Sequence, residues 1–173
     1  MKIKTGLAAL LAALNLFAVT VGEQPKQVSI SGENGGLVKD AKAWNSNMLH
    51  DKLYVMFYVD PDEKDVNEAF SQALKKKEYR KKGAFGSIAI INLAATWKPN
   101  FIIESILKSK QKEFPKTIYV KDKNKVLVKE WALGDDASNI LIFDKNGKLM
   151  FYKSGKMSED DMQKAFQLIE ENL

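Results

Sequence analysis

Apolar and polar positions along this chain recur with two different periods, and the switches between them mark its elements. Residues 53–59 read Leu-Tyr-Val-Met-Phe-Tyr-Val and are closed by Asp60-Pro61-Asp62. A near-continuous apolar run of that length predicts a central strand covered on both faces. The period then becomes helical, with Val66, Ala69, Phe70, Ala73 and Leu74 on one face. Asp62 is placed to cap that helix, Glu63 and Asp65 suit its positive end, and Lys75, Lys76 and Lys77 suit its negative end. Gly83 and Gly86 break the pattern before a second apolar run over 87–93. Strand, short turn, helix and strand predict a βαβ unit with a parallel pair and a right-handed crossover.

A loop holding Trp97 and Pro99 leads to a helix over 101–114. This helix is expected to turn Ile102, Ile103, Ile106, Leu107 and Phe114 inward and Lys108, Lys110 and Lys112 outward. Pro115 stops it, residues 117–120 form a third core strand, and 122–125 turn the chain into Val126-Leu127-Val128 and a short segment carrying Trp131. Two apolar runs, 140–143 and 149–152, flank Asp144-Lys145-Asn146-Gly147, which is β-hairpin chemistry with Gly147 ready for a positive φ. Ser158 with Asp161 three residues later gives an N-cap and a near capping box, Met157 and Met162 a hydrophobic staple, and Met162, Ala165, Phe166, Ile169 and Leu173 one helical stripe. At the other end, a strand over 27–30 and a glycine-rich turn over 31–36 returning into Leu37-Val38 predict a small N-terminal hairpin. No helix pattern or Lys-Ser/Thr follows those glycines, so they do not make a phosphate loop. Trp44 in the loop beyond reads as a lid over a core edge.

With 173 residues, 45% of them hydrophobic, the chain suits one domain with a real core. Lys2 and Lys4 ahead of an apolar run over 6–17, followed by Ala18, Thr20 and Gly22, read as a secretory signal peptide. The run is short for a membrane span. Cleavage is expected after Ala18, with the bond after Gly22 as the alternative, giving a leader over 1–18, a domain over 19–173 and a periplasmic location with no stable membrane anchor. There is no cysteine, which removes disulfides, thiolate metal sites, cysteine nucleophiles and dithiol exchange together. The net charge is +5, and losing Lys2 and Lys4 leaves about +3. Arg80 is the only arginine, so the basicity lacks the bidentate fork that reads guanine edges.

Two βα pairs with a strand, then a hairpin and a terminal helix, follow the element order of thioredoxin-like folds. Tyr119, Asp122, Trp131, Asp144, Gly147 and Gly155 match the layout of the second half of that fold in its secreted thiol-oxidoreductase and peroxiredoxin-like branches. From Gly22 onward the chain also resembles the YtfJ family of small exported bacterial proteins. The resemblance rests on Gly22 with Pro25, Trp44-Asn45-Ser46, Lys52, Lys112 with Phe114-Pro115, Trp131, Asp144 with Gly147, and Lys153 with Gly155 ahead of the capped helix. It implies an α/β thioredoxin-like fold, a central mixed sheet flanked by helices, and no assigned activity. The fold's redox pair would stand in the turn Tyr58-Val59-Asp60-Pro61-Asp62-Glu63, which holds no sulfur, and its cis-proline near Ala137-Ser138 is missing too. Thiol exchange needs a thiolate, so that chemistry is excluded.

On this layout the former redox corner is lined by Asp60, Asp62, Glu63, Asp135 and Asp136, a candidate binding site. Such carboxylates could hold a hard cation or act as an acid/base pair. They are also what helix starts and loops ordinarily carry, and position six of an EF-hand reading is Asp65 where glycine is required. His50 is the only histidine, and nothing around Ser46 resembles a nucleophile elbow, so no triad or histidine metal cluster is expected. The lysine groups at 75–82 and 108–112 read as helix ends and exposed faces. The leading expectation is therefore a non-catalytic binding or protein-interaction role, with a protein partner in the periplasm and with no cofactor, no metal and no nucleic acid. The alternatives are a metal-dependent or hydrolytic enzyme using the acidic rim and a DNA-binding regulator, the latter opposed by the leader.

Overall fold

A computed structural model describes residues 18–79 and 83–173. The expected leader falls almost wholly on residues 1–17, outside the described residues. The strands are β1 (Ser29–Ile30), β2 (Gly35–Leu37), β3 (Trp44–Asn45), β4 (Leu53–Val59), β5 (Phe85–Asn92), β6 (Thr117–Asp122), β7 (Ser138–Phe143) and β8 (Leu149–Ser154). The helices are α1 (Glu68–Lys76), α2 (Asn100–Glu113), α3 (Val126–Trp131) and α4 (Glu159–Asn172). Six strands form one sheet in the order β2-β6-β5-β4-β7-β8. β4 runs parallel to β5 and antiparallel to β7, and β5 runs parallel to β6, so the apolar run 53–59 is central and the βαβ unit is present.

Side chains alternate across this sheet because the strand period is two. Leu53 and Val55 meet Phe70 and Leu74 of α1 and Ala165 and Ile169 of α4 on one face. Tyr54, Met56 and Tyr58 meet Trp44, Leu127 and Trp131 on the other. α2 lies over the edge of the first face through Leu93, Ile103 and Leu107. The terminal unit forms as its local signals require. Gly147 takes φ +77°, the Asp161 amide donates to Ser158 Oγ at 3.1 Å, and the Ser158 amide donates to Asp161 at 2.9 Å. Lys153 stands 2.8 Å from Asp161, and its hydrogen bond, with those from Ser158, holds that carboxyl down at about 2.

Four expectations are corrected. Antiparallel pairing at the N-terminal end does form, but β1 pairs with β3, while Gly35–Leu37 joins β6 as the sheet edge. Glycine is needed there for close approach: a Cβ on Gly35, at φ +121°, would stand 1.9 Å from the Lys121 carbonyl oxygen. α1 begins at Glu68, six residues past the expected Asp62 cap. The Asp60 carboxylate instead accepts the Asp62 amide at 2.8 Å, and successive turns, Glu63 to Asp60 and Val66 to Glu63, carry the chain to the helix. Ile102 and Ile106 point outward, 43% and 52% exposed, because α2 turns only Ile103 and Leu107 onto the sheet. Finally, β4 is not closed over on both faces along its whole length: Phe57 is half-buried, opposite a gap between α1 and α2.

Candidate functional site

The outgoing end of β4 meets the turn before β7, where the Asp60 amide donates to the Ala137 carbonyl at 3.0 Å. This brings the loop carrying Asp60, Asp62 and Glu63 beside the one carrying Asp135 and Asp136, the corner expected from the sequence. Asp60 is 4% exposed. Burial pushes its carboxyl above the ordinary value and the charges of Asp62, Asp136 and Glu63 add to this, against the hydrogen bond from the Asp62 amide.

Two lysines that the sequence did not single out compensate the rest. Lys125 Nζ lies 2.6 Å from Asp135 and 3.8 Å from Asp136. Burial works to raise the Asp135 carboxyl, but the hydrogen bonds from Lys125 and the Asp136 amide, the Lys125 charge and the hydrogen bond from Asn92 leave it below the usual range. Asp62 turns aside to Lys98 Nζ and Thr96 Oγ1, whose hydrogen bonds hold its carboxyl low. Glu63 stands half-buried in the turn. Among the described residues, no three histidine or acidic side chains gather so as to hold a metal ion. His50 is exposed and lies against Gly147, remote from the corner in the fold.

Behind the carboxylates is a buried polar layer of which sequence reasoning placed only Asp122, as part of the fold's layout, and missed Asn67, Asn92 and Asn139. Asn67 donates to Ser138 Oγ and the Gly155 carbonyl, both at 3.0 Å, and accepts the Met157 amide at 2.8 Å. Asn139 donates to the Tyr58 carbonyl at 3.2 Å and the Gly134 carbonyl at 2.8 Å, and accepts from Tyr152 at 3.1 Å. Asp122, fully buried, accepts from Tyr58 Oη at 3.1 Å. Burial, with the nearby Asp122, drives the Tyr58 phenol far above its ordinary value, so it stays a neutral donor. Asn92 donates to Asp135 at 3.2 Å, while its buried Oδ1 has no hydrogen-bond partner among the described residues. The available signal was a lone polar residue at the end of an apolar run, as at Asn92 and Asp122.

These groups give the corner a rigid frame with charges largely answered from within the chain. Asp60 is the exception, and its penalty is testable. A carboxyl raised in the fold loses stability as pH climbs from its unfolded value through its folded one. Asp60→Asn keeps the acceptor for the Asp62 amide and removes the buried charge. It should raise the melting temperature at pH 7 by about 2–4 °C, a difference that closes in acid, where the wild-type carboxyl is neutral. A variant that melts lower at pH 7 would show that the ionised carboxylate is favoured there.

Next to this corner lies an apolar surface. Trp97 is 85% and Phe101 74% exposed, and with Ile102 and Ile106 they occupy the entry and the outward half of α2. Lys98, which holds Asp62, stands between Trp97 and the helix, so acidic corner and apolar face adjoin. Lys108 and Lys112 follow on the helix and make no ion pair among the described residues.

A protein of Escherichia coli (strain K12) named Uncharacterized protein YtfJ is 24% identical over 160 residues, covering 88% of this chain and 86% of its own. An uncharacterized protein of Haemophilus influenzae is 28% identical over 130 residues, covering 73% and 70%. The thioredoxin domain of a thiol-disulfide oxidoreductase from Bacteroides vulgatus superposes with a TM-score of 0.58 at 12% identity, covering 87% of this chain and 98% of that domain. At that identity the likeness shows the fold: this is a thioredoxin-like domain without cysteine. A family described as a bacterial protein of unknown function (YtfJ_HI0045) matches residues 20–172, and this chain belongs to it.

Proposed function

We propose that this is a periplasmic thioredoxin-fold protein that acts by holding a protein partner, without catalysis. The observation that carries the reading is the exposed Trp97, Phe101, Ile102 and Ile106 surface beside the former redox corner. Large apolar side chains scattered singly are ordinary, whereas four exposed ones over residues 97–106, two of them aromatic, have the composition of an interface anchor. Lys108 and Lys112 at its rim favour a partner whose apolar anchor is edged with acidic residues. Two unpaired lysines, at about 1 kcal/mol each, fall short of what firm attachment to an anionic membrane needs. The leader supports the location. Cleavage after Ala18 keeps the bond from Val19 to the Trp131 carbonyl at 3.1 Å and that from Gly22 to the Leu149 carbonyl at 2.7 Å. The acid/base alternative has the raised Asp60 carboxyl in its favour, but the neighbouring Asp62 and Asp135 are engaged by Lys98 and Lys125.

The test is crosslinked capture from periplasmic extract with wild-type protein and a Trp97→Asp/Phe101→Asp variant. A defined partner held by the wild type should be lost from the variant, with affinity reduced at least tenfold and the melting temperature within a few degrees, since both side chains are already in water. Capture that is indifferent to the variant, or hydrolytic turnover abolished by Asp60→Asn, would overturn the reading.

A further inference from the structure

The gap over the centre of the sheet is a second candidate site, separate from the corner and from the outward face of α2. On the α1/α4 face, β5 presents Ser87 and Ala89, where its opposite face presents Ile88 and Ile90. α1 has nine residues and α2 packs toward the β6 edge. The small side chains and the spacing of the helices leave a cavity of about 320 Å³ with Phe57, Ala89, Ile91 and Tyr119 on its floor. All four are only half-buried although they lie at the middle of the sheet. A cavity of this size is within the range of small-ligand sites, with room for roughly ten water-sized groups.

The charge at its wall narrows the ligand. Lys75 of α1 lines the cavity and places Nζ 5.1 Å from the centre of the Phe114 ring, which also lines it. Lys110 approaches the same ring at 5.3 Å but is neutralised by Glu113 at 2.9 Å. Lys64, also on the lining, is paired with Asp65. Lys75 makes no ion pair among the described residues. The one carboxylate among the described lining residues, Glu78, is not free, so an apolar floor with the uncompensated Lys75 ammonium at its side complements an apolar body bearing one negative charge. We infer that the cleft between α1 and α2 binds a small amphiphilic carboxylate, its apolar body on Phe57, Ala89 and Ile91 and its carboxylate at Lys75.

Calorimetric titration of the purified protein with decanoate tests this, with decanol and decylamine as neutral and cationic controls of the same length. Saturable one-to-one binding of decanoate is expected, about tenfold weaker for decanol and lost for decylamine. Lys75→Glu should reduce decanoate affinity at least tenfold without altering the melting temperature by more than a few degrees, because the side chain is exposed. Ala89→Phe should fill the floor and abolish binding while the melting temperature holds or rises. If that variant does not fold, Ala89→Leu, a smaller intrusion at the same position, gives the same reading. Absence of saturable binding below 1 mM, equal affinity for all three probes, or binding that survives the filled floor would each overturn the assignment.

Discussion

Replacing Asp122 by alanine lowers the unfolding free energy by about 3–5 kcal/mol, the range for removing one member of a buried, charged hydrogen-bonded set. The carboxylate is fully buried at the end of β6. It accepts the Tyr58 hydroxyl at 3.1 Å and the amides of Val126, Leu127 and Asn124 at 2.9, 3.2 and 3.2 Å. Val126 and Leu127 open α3, whose own N-cap, Lys125, supplies no side-chain bond, so Asp122 holds the amide end of that helix from outside it. Alanine would orphan these donors at once. Against a typical total of about 5–15 kcal/mol, the loss leaves a marginal fold. Urea unfolding measures it. Asp122→Asn, which keeps an acceptor, should cost clearly less, and adding Tyr58→Phe to Asp122→Ala should recover part of the loss by removing one orphan. An Asp122→Ala protein within about 1 kcal/mol of wild type would mean that water replaces the carboxylate freely.

Trp131→Ala is expected to cost a similar 3–5 kcal/mol by another route, the cavity left by a large core side chain. Trp131 has no exposed surface. Its ring meets Trp44 edge-on at 6.4 Å and Phe143 at 6.1 Å, and its Nε1 donates to the Lys26 carbonyl at 2.8 Å. That bond and the one from Val19 to the Trp131 carbonyl tie the N-terminal segment to α3. The loss should therefore be uneven: hydrogen exchange over residues 19–30 should accelerate more than exchange in β4 and β7. Thermal melting gives the size of the effect, and uniform acceleration across the sheet would contradict the tie.

Both residues show how the corner and its support differ in legibility. Asp60 and Asp135–Asp136 could be brought together on paper because the fold's strand order places those two loops side by side. Lys98 and Lys125 could not, since an isolated lysine in a loop has the same local context whether it faces water or a carboxylate. Asn67 and Asn139 carry no periodicity of their own, and their work is to bond chain segments up to 90 positions away, as Asn67 does with Met157. Ile102 and Ile106 misled for the opposite reason. A helical stripe in the sequence states which residues share a face, and the width of the sheet beneath decides how much of that face is covered.

By itself the sequence determined the elements whose causes lie within a few residues: the β7–β8 hairpin around Gly147, the Ser158/Asp161 cap of α4, the parallel β4–α1–β5 unit, and the absence of any thiol chemistry. Tertiary structure alone decided that Gly35–Leu37 is a sheet edge, that α1 starts at Glu68, that two lysines answer the acidic corner, and that α2 leaves both an apolar face and an open cleft. The reason is range. Turn geometry, capping and periodicity act through neighbouring bonds and can be read in order, while strand partners, burial and charge compensation depend on distances between segments that only the assembled chain sets.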